Sequence, residues 1–167
     1  MSSTSAPKFA FVTCQELRRA ASKFATGIAV VTVTDSDGTP HGMTVNSFTS
    51  VSCAPPVVSV SIDLKCGILG VLTQAERFGI SVLGEPQQEV SARFAGACDA
   101  RFEGVRWHAG PGGAPLLDEA IATFECRKHS VIEVGDHLVM FLAVESAEAF
   151  DGLPLLYFGS GYGRMGV

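Results

Sequence analysis

Short runs of β-branched and apolar residues, separated by turn-forming clusters, most strongly limit what this chain can fold into. The runs occupy residues 28–34, 57–62, 78–83, 121–134 and 137–149. Clusters such as Asp-Ser-Asp-Gly-Thr-Pro bound them, which is typical of β-strands. Helical segments do not alternate regularly with these strands. We therefore predict a mainly β fold of the barrel type, with short helices, rather than a doubly wound sheet.

Three short helices are predicted, one before the first strand and two between later segments. The first begins with a capping-box pattern at Thr13 and Glu16 and is expected to end at Gly27. Its apolar residues recur at helical spacing, which predicts one packed face formed by Leu17, Ala20, Ala21 and Phe24. The second helix is predicted over 67–76. The third is predicted over 86–96, between Pro86 and Gly96.

The remaining segments carry weaker patterns. Residues 1–10 are predicted to be a flexible tail, and residues 11–167 a single domain. The Gly- and Pro-rich stretch 101–117 is expected to be irregular. Residues 154–163, Pro-Leu-Leu-Tyr-Phe-Gly-Ser-Gly-Tyr-Gly, are predicted to form a last strand and a flexible end. The Gly-Ser-Gly-Tyr-Gly part, 159–163, resembles a phosphate loop, but no helix follows it.

The stretch HGMTVNSFTSVS, residues 41–52, places small hydroxyls and an amide beside an apolar strand. Met43 and Val45 share one face of this strand, whereas Phe48 falls on the other face, so the apolar alternation breaks between them. A bulge near Asn46-Ser47 would explain the break, and bulges often aim backbone groups at a ligand. An edge strand with solvated hydroxyls explains the same pattern, and the pattern alone leaves both open.

Composition and charge exclude several classes of function. Hydrophobic residues make up 47% of the chain and charged residues 17%, and this apolar surplus suggests a subunit interface. No run is long enough to span a bilayer and no secretory signal is apparent, so a cytoplasmic protein without membrane contact is expected. The net charge of -5 argues against binding to nucleic acid.

Motifs of common enzyme classes are absent from the sequence. No G-x-G-x-x-G segment joins a strand to a helix, and neither a G-x-S-x-G elbow nor a Walker A motif occurs. The five cysteines lack zinc-site spacing, so no metal is predicted, and most of them are expected in the core. Among the four histidines, His137 differs because it follows Gly135-Asp136 at the start of an apolar strand.

A series of motifs, taken in order, resembles a known family. FATGIAVVT, HGMTVNSFTSVSCAPPVVSVSID, RFGISVL, ARFAG, GDH and PLLYFGSGY are similar to segments of the short-chain flavin reductases that serve two-component flavin monooxygenases. The resemblance covers residues 11–163. It implies an FMN-binding split β-barrel, a homodimer, reduction of FMN or FAD by NADH or NADPH, and delivery of reduced flavin to a partner monooxygenase.

The resemblance also implies roles for individual residues. The flavin would be bound by Thr26, Gly27, Ile28, Met43, Thr44, Asn46, Ser47, Phe48, Thr49, Ser50, Ser52, Arg93 and Phe94. The nicotinamide side would comprise Gly135, Asp136, His137, Tyr157 and Tyr162, with His137 positioning the nicotinamide. Lys65 departs from the family, which often has Ser or Thr near the flavin phosphate, so charge would replace hydroxyls there.

The residue types agree with hydride transfer. Hydride passes directly from nicotinamide to flavin, so the protein needs to stack two rings and stabilise developing charge, and it needs no nucleophile. The alternative that the sequence leaves open is a flavin-binding or carrier protein with the same fold and no turnover of its own. The Gly-Asp-His segment favours the enzyme, because a carrier needs no nicotinamide site.

Overall fold

The computed structural model describes residues 11–96 and 100–166. Three α-helices lie in these ranges: α1 spans Cys14–Ala21, α2 spans Leu69–Gln74 and α3 spans Gln88–Ala95. A 3₁₀ helix over Glu85–Gln87 leads into α3. The predicted tail over residues 1–10 falls outside the described residues.

Strands form most of the regular structure, which confirms the mainly β prediction. They are β1 (Thr26–Gly27), β2 (Ala29–Thr34), β3 (Pro40–Val45), β4 (Thr49–Cys53), β5 (Pro56–Asp63), β6 (Arg77–Val82), β7 (Trp107–Ala109), β8 (Pro115–Leu117), β9 (Ala122–Val134), β10 (His137–Ala149), β11 (Leu156–Phe158) and β12 (Gly161–Gly163). The five predicted runs correspond to β2, β5, β6, β9 and β10.

The main sheet has seven antiparallel strands in the order β3-β2-β6-β9-β10-β5-β4. Its two edge strands, β3 and β4, are consecutive in the chain and are linked by residues 46–48 alone. A flat seven-stranded sheet would separate its edges by about 29 Å, whereas this link reaches at most about 14 Å. The sheet is therefore strongly curved and brings its edges together, as the split-barrel prediction requires.

Among the described residues, the larger buried apolar cluster lies on the face of this sheet that α2 covers. Val31, Ile80, Met140 and Leu142 are fully buried, and α2 closes the core by inserting Leu72. The first part of β10, His137–Leu142, alternates between buried and half-buried residues, so both of its faces are largely covered, whereas the strand is mostly exposed from Glu145 onward. This agrees with the apolar pattern on both faces of the strand.

Two predictions for irregular segments were wrong. Residues 159–163 are not a flexible end: β11 and β12 form a hairpin that pairs with β1 through Thr26 opposite Tyr157 and Gly27 opposite Leu156. Gly159 and Ser160 adopt positive φ angles of 59° and 67° in its turn. Within 101–117, strands β7 and β8 form a second small hairpin. The predicted last strand is β11, whereas β7, β8 and β12, of three residues each, are too short for an alternation to be recognised.

Helix α1 shows the predicted capping box, in which Glu16 N–H donates to Thr13 Oγ1 and Glu16 Oε2 accepts from Thr13 N–H. The helix ends at Ala21, earlier than the predicted stop at Gly27, which lies in β1. The expectation of a packed face was also wrong for the single chain, because Leu17 is 58% and Phe24 77% exposed. None of the helices in residues 11–96 and 100–166 is long and apolar enough to cross a membrane.

Candidate functional site

The link between β3 and β4 shapes the candidate site. The predicted bulge at Asn46-Ser47 is instead a strand break: β3 ends at Val45, and residues 46–48 cross from one sheet edge to the other. The Ser47 side chain fixes the crossing, since its Oγ accepts from Ser61 N–H at 3.0 Å and donates to Ser61 O at 3.1 Å. The ring of Phe48 turns inward, 5.3 Å from that of Phe124. The register irregularity falls later, between Ser50 and Ser52.

A groove follows β3 and this crossing. Its first cavity, of about 260 Å³, lies where β1 faces the crossing. The lining residues are Phe24, Ala25, Thr26, Gly27, Ile28, Ala29, Asn46, Phe48 and Val82. The structure therefore brings together residues 26–28 and 46–48, which are far apart in the sequence and which the resemblance assigns to one ligand.

Two further cavities continue the groove. The central cavity, of about 240 Å³, shares Ile28 and Asn46 with the first. Its other lining residues are Thr44, Val45, Ser91, Ala95, Tyr157 and Tyr162. The third cavity, of about 330 Å³, shares Thr44 and Ala95 with the central one. It is further lined by Met43, Asp63, Lys65, Cys66, Gly67, Phe94, Gly96 and Arg101.

The hydroxyls of the opening stretch divide into two groups. Thr44 Oγ1 donates to the Ser91 carbonyl at 2.7 Å, and Ser47 is bound to β5, so both hold the backbone in place. Thr49 and Ser50 are exposed on the edge strand β4, while Ser52 Oγ accepts from Ala54 N–H at 3.3 Å. Exposed Asn46 stands between the first and central cavities. The structure thus places the amide, rather than most hydroxyls, at the groove.

Arg93 and Phe94, which the resemblance assigns to the flavin, differ in their relation to the groove. Arg93 Nη1 donates to the Glu103 carbonyl, and its side chain is absent from the lining of the three cavities. Phe94 is 1% exposed and packs edge-on against Phe102, so its main contribution is to the core. The phenyl ring reaches the groove at the wall of the third cavity.

Arg101, which the sequence interpretation missed, lines the third cavity together with Lys65. Its Nη1 donates to Gly42 O at 2.7 Å and its Nη2 to Gly96 O at 2.8 Å. These bonds tie β3 to the end of α3. Arg101 lies in a stretch that gives no regular pattern, so nothing in the sequence indicated its position.

The turn between β9 and β10 lies beside the third cavity. Gly135 adopts φ 62° in this turn, and Asp136 O accepts from Leu64 N–H at 2.9 Å. His137 pairs across the sheet with Asp63, which lines the cavity. The structure thus brings the Gly-Asp-His segment next to the Lys65 end of the groove. Tyr157 and Tyr162 line the central cavity instead, apart from His137.

In this turn the side chains of Asp136 and His137, adjacent in the sequence, are in contact. His137 Nδ1 lies 2.7 Å from Asp136 Oδ1. This hydrogen bond, with the charge of His137 and a smaller contribution from Lys65, lowers the pKa of the Asp136 carboxyl. Asp136 is therefore ionised at neutral pH and orients the imidazole. In residues 11–96 and 100–166, no three His, Cys, Asp or Glu side chains are grouped to hold a metal ion.

A curved antiparallel sheet with a long groove at its joined edges defines a class of β proteins able to hold a flat, extended ligand. The chain belongs to the family of flavin reductase-like domains, because the sequence model of that family matches residues 21–166. This confirms the resemblance inferred from the motifs.

Relatives of this chain are named as flavin reductases or as reductase subunits. The stachydrine N-demethylase reductase subunit Stc3 of Rhizobium meliloti (strain 1021) is 41% identical over 150 residues, which are 90% of this chain but 63% of Stc3. The chain thus spans less than two thirds of that relative. The NADH-dependent flavin reductase StyB of Pseudomonas fluorescens is 45% identical over 152 residues, covering 87% of this chain and 86% of StyB.

A solved structure shares the fold. It is the NADH:FAD oxidoreductase SgcE6 of Streptomyces globisporus C-1027, in complex with NAD and FAD fragments. The TM-score is 0.86 at 36% identity, and the match covers 91% of this chain and 92% of SgcE6.

The residues of the groove fit a flavin, the group that this family implies. Ile28, Phe48 and Val82 give the first cavity apolar walls suited to a flat ring. Thr26, which lines the same cavity, has a buried Oγ1 with no hydrogen-bond partner among the described residues. Lys65 brings positive charge to the opposite end, where a phosphate would be stabilised.

Proposed function

We propose that this protein is an NAD(P)H-dependent flavin reductase that reduces FMN or FAD and supplies the reduced flavin to a partner monooxygenase. The groove along residues 43–48 is the observation that carries this proposal. It combines apolar walls, the unpartnered Thr26 hydroxyl and a cationic end in three neighbouring cavities that share lining residues. The names of Stc3, StyB and SgcE6 support the same activity.

Flavin binding is assigned to the groove residues. The ring would lie against Thr26, Gly27, Ile28, Asn46 and Phe48, and the phosphate would lie toward Lys65. The flavin, when bound, supplies the hydride acceptor. The chain excludes water through its apolar walls and fixes the ring, so that the reacting rings are held in register. No side chain has to act as a nucleophile or a strong base.

Nicotinamide positioning is assigned to His137. Because Asp136 holds Nδ1, the opposite ring nitrogen Nε2 is left to face a substrate amide. The turn that carries His137 adjoins the third cavity, the end proposed for the flavin phosphate. Within one chain His137 would therefore hold the part of the nicotinamide dinucleotide that extends to this end, away from the proposed flavin ring.

A homodimer is part of the proposal. Large apolar side chains are exposed on the single chain at two places, around α1 and at the outer end of β9. They are Phe11, Val12, Leu17 and Phe24, and Val131, Ile132 and Val134. Obligate interfaces cover such surfaces. Light scattering coupled to gel filtration should give twice the chain mass of 17.5 kDa; a monomer would contradict this part. The reaction would take place in the cytoplasm, where NADH and NADPH are available.

The activity is tested by a matrix of two flavins and two nicotinamides. Under anaerobic conditions, purified protein should catalyse loss of oxidised-flavin absorbance with at least one pair. Binding of flavin without turnover in every pair would favour the carrier protein instead. Absence of both binding and turnover would reject a flavin function.

The flavin site is tested separately with Asn46→Asp. A negative charge beside the ring should oppose the negative charge that develops on the flavin during reduction. We expect weaker flavin binding and slower reduction. An unchanged flavin affinity would contradict the placement of the ring at Asn46.

A further inference from the structure

We infer that Ser91 is a positioning residue that holds the ring of Tyr162 as one wall of the groove and thereby sets the affinity for the flavin. This inference rests on the proposed flavin reductase function. The two hydroxyls share a hydrogen bond, Ser91 Oγ to Tyr162 OH, at 3.0 Å. They lie 71 residues apart in the sequence, on α3 and on the terminal hairpin β11-β12.

Ser91 is unusually placed for a serine. It is fully buried in α3, where a hydroxyl without a partner would be costly. Its carbonyl accepts from Thr44 Oγ1, so the same residue is fixed to β3 from the other side. Ser91 thus joins three elements, α3, β3 and the terminal hairpin, at the central cavity.

The Ser91 bond is the side-chain hydrogen bond that holds the Tyr162 hydroxyl, while Gly159 N–H bonded to Ser22 O and Arg164 paired with Glu85 attach the rest of the hairpin region. The Tyr162 side chain belongs to a three-residue strand and is 37% exposed, so burial alone does not fix the ring. The hairpin is attached to β1 through two residue pairs, both on β11 rather than on β12. Tyr157 contacts the Tyr162 ring at 5.9 Å in an edge-on arrangement. The Ser91 bond therefore fixes the tip of the Tyr162 ring against α3.

The cavity that these side chains line is the place where the flavin ring would extend. Ser91, Tyr157 and Tyr162 line the central cavity, which shares Ile28 and Asn46 with the first. A three-ring ligand placed against Ile28 and Asn46 would meet the Tyr162 ring on the facing side. When Tyr162 is held, the wall is preorganised and less ordering is required on binding.

A double-mutant cycle tests the inference. Ser91→Ala and Tyr162→Phe each remove one hydroxyl of the bond and keep the rest of the side chain. Each single variant should raise KM for flavin roughly 3- to 10-fold, and this rise should exceed any fall in kcat at saturating flavin. Because both act through one bond, the double variant should be no worse than either single variant. Thr73→Ala, which removes an exposed hydroxyl on α2, serves as the matched control.

Several outcomes would overturn the inference. They are additive effects, an unchanged KM for flavin in Tyr162→Phe, or a fall in kcat without a change in KM. Tyr162→Phe also covers the case in which Ser91→Ala does not fold, because Tyr162 is partly exposed and keeps its ring. If the wild-type protein does not reduce flavin, the proposed function fails. In that case the double-mutant cycle uses flavin dissociation constants, measured by quenching of flavin fluorescence, in place of KM. Failure of the reductase function can then be distinguished from failure of the inference about Ser91.

Discussion

His137 Nδ1 and Asp136 Oδ1 lie 2.7 Å apart, although the two residues are neighbours in the chain. Adjacent side chains in a strand usually point to opposite faces. Here the turn with Gly135 at φ 62° ends the strand pairing at His137, so the carboxylate can fold back onto the imidazole. A pair that is made locally, and is exposed to solvent, is better suited to bind a substrate than to stabilise the fold.

His137→Ala should therefore raise KM for the nicotinamide roughly tenfold, the equivalent of one lost hydrogen bond of about 1.4 kcal/mol. Flavin affinity and thermal stability should stay close to those of the wild type. Steady-state kinetics and flavin titration measure the two effects. His129→Ala, on the exposed part of β9, is the matched control. Equal losses of nicotinamide and flavin affinity would assign His137 a structural role.

The buried carboxylate of Glu125 organises the loop between β7 and β8. It is 2% exposed and accepts from Gly112 N–H at 2.7 Å and from Ala114 N–H at 2.8 Å. Glu125→Ala would leave both donors unpaired and should lower the free energy of unfolding by about 2–4 kcal/mol. Urea denaturation measures this loss. Glu145→Ala is the comparison, because its ion pairs are exposed and should cost about 1 kcal/mol or less.

The sequence predicted the long strands correctly because apolar runs and turn clusters are local signals. Strand β10, for example, carries its buried residues at every second position. Helix α1 was only partly predictable: the capping box needs two residues three apart, whereas the exposure of Phe24 depends on what else packs nearby. The end of the helix at Ala21 is also set by pairing of β1 with the terminal hairpin, a contact of high sequence separation.

The candidate site was also predictable only where a local sequence signal marked it. The broken alternation at Asn46 marked the crossing between sheet edges, although the sequence could not distinguish a bulge from a strand break. Arg101 and Ser91 were missed, since their positions depend on how α3 and the following loop dock onto β3. The separation of Tyr162 from His137 is likewise a consequence of topology, and no local pattern carries it.

Gly79 allows the close approach of β8 to the main sheet. A Cβ atom at this position would overlap the Pro115 carbonyl oxygen and Thr32 Oγ1, which are themselves hydrogen bonded. Gly79→Ala should therefore destabilise the protein by about 3 kcal/mol, because backbone has to move. Gly70→Ala, in α2 with open space around it, should instead be neutral or stabilising by up to about 1 kcal/mol. Equal stability of the two variants, measured by urea denaturation, would contradict this packing.

Asp35 closes the turn between β2 and β3. Its carboxylate contacts His41 Nε2 at 2.8 Å and accepts from Thr39 N–H at 2.9 Å. These bonds, the His41 bond first, lower the pKa of Asp35. Its contribution to stability is thus present above the unfolded pKa of about 3.9 and is lost as the pH falls through the lower folded value.

Asp35→Asn should accordingly lower Tm at about pH 5.5, and the difference from the wild type should shrink at about pH 3. Thermal unfolding followed by circular dichroism measures both values. Asp37→Asn, in the same turn but donating only its backbone N–H to Asp35, is the control. If the Tm difference between the wild type and Asp35→Asn is the same at both pH values, the charge of Asp35 does not contribute to stability.

The described cysteines differ in environment, against the expectation that most belong to the core. Cys126 is buried in the main sheet, whereas Cys14 and Cys53 are exposed. Burial, together with the charge of Glu125, raises the pKa of the Cys126 thiol to about 12. Since the thiolate is the reactive form, roughly one Cys126 side chain in ten thousand would be reactive at pH 8.

Native protein treated with iodoacetamide at about pH 8 should therefore be alkylated at Cys14 and Cys53 and spared at Cys126. Peptide mapping by mass spectrometry separates the sites. Alkylation in denaturant should reach Cys126 as fast as Cys53, because unfolding removes the burial that raises its pKa. Comparable labelling of Cys126 and Cys53 in the native protein would show that β9 opens readily and that the core around Cys126 is not closed.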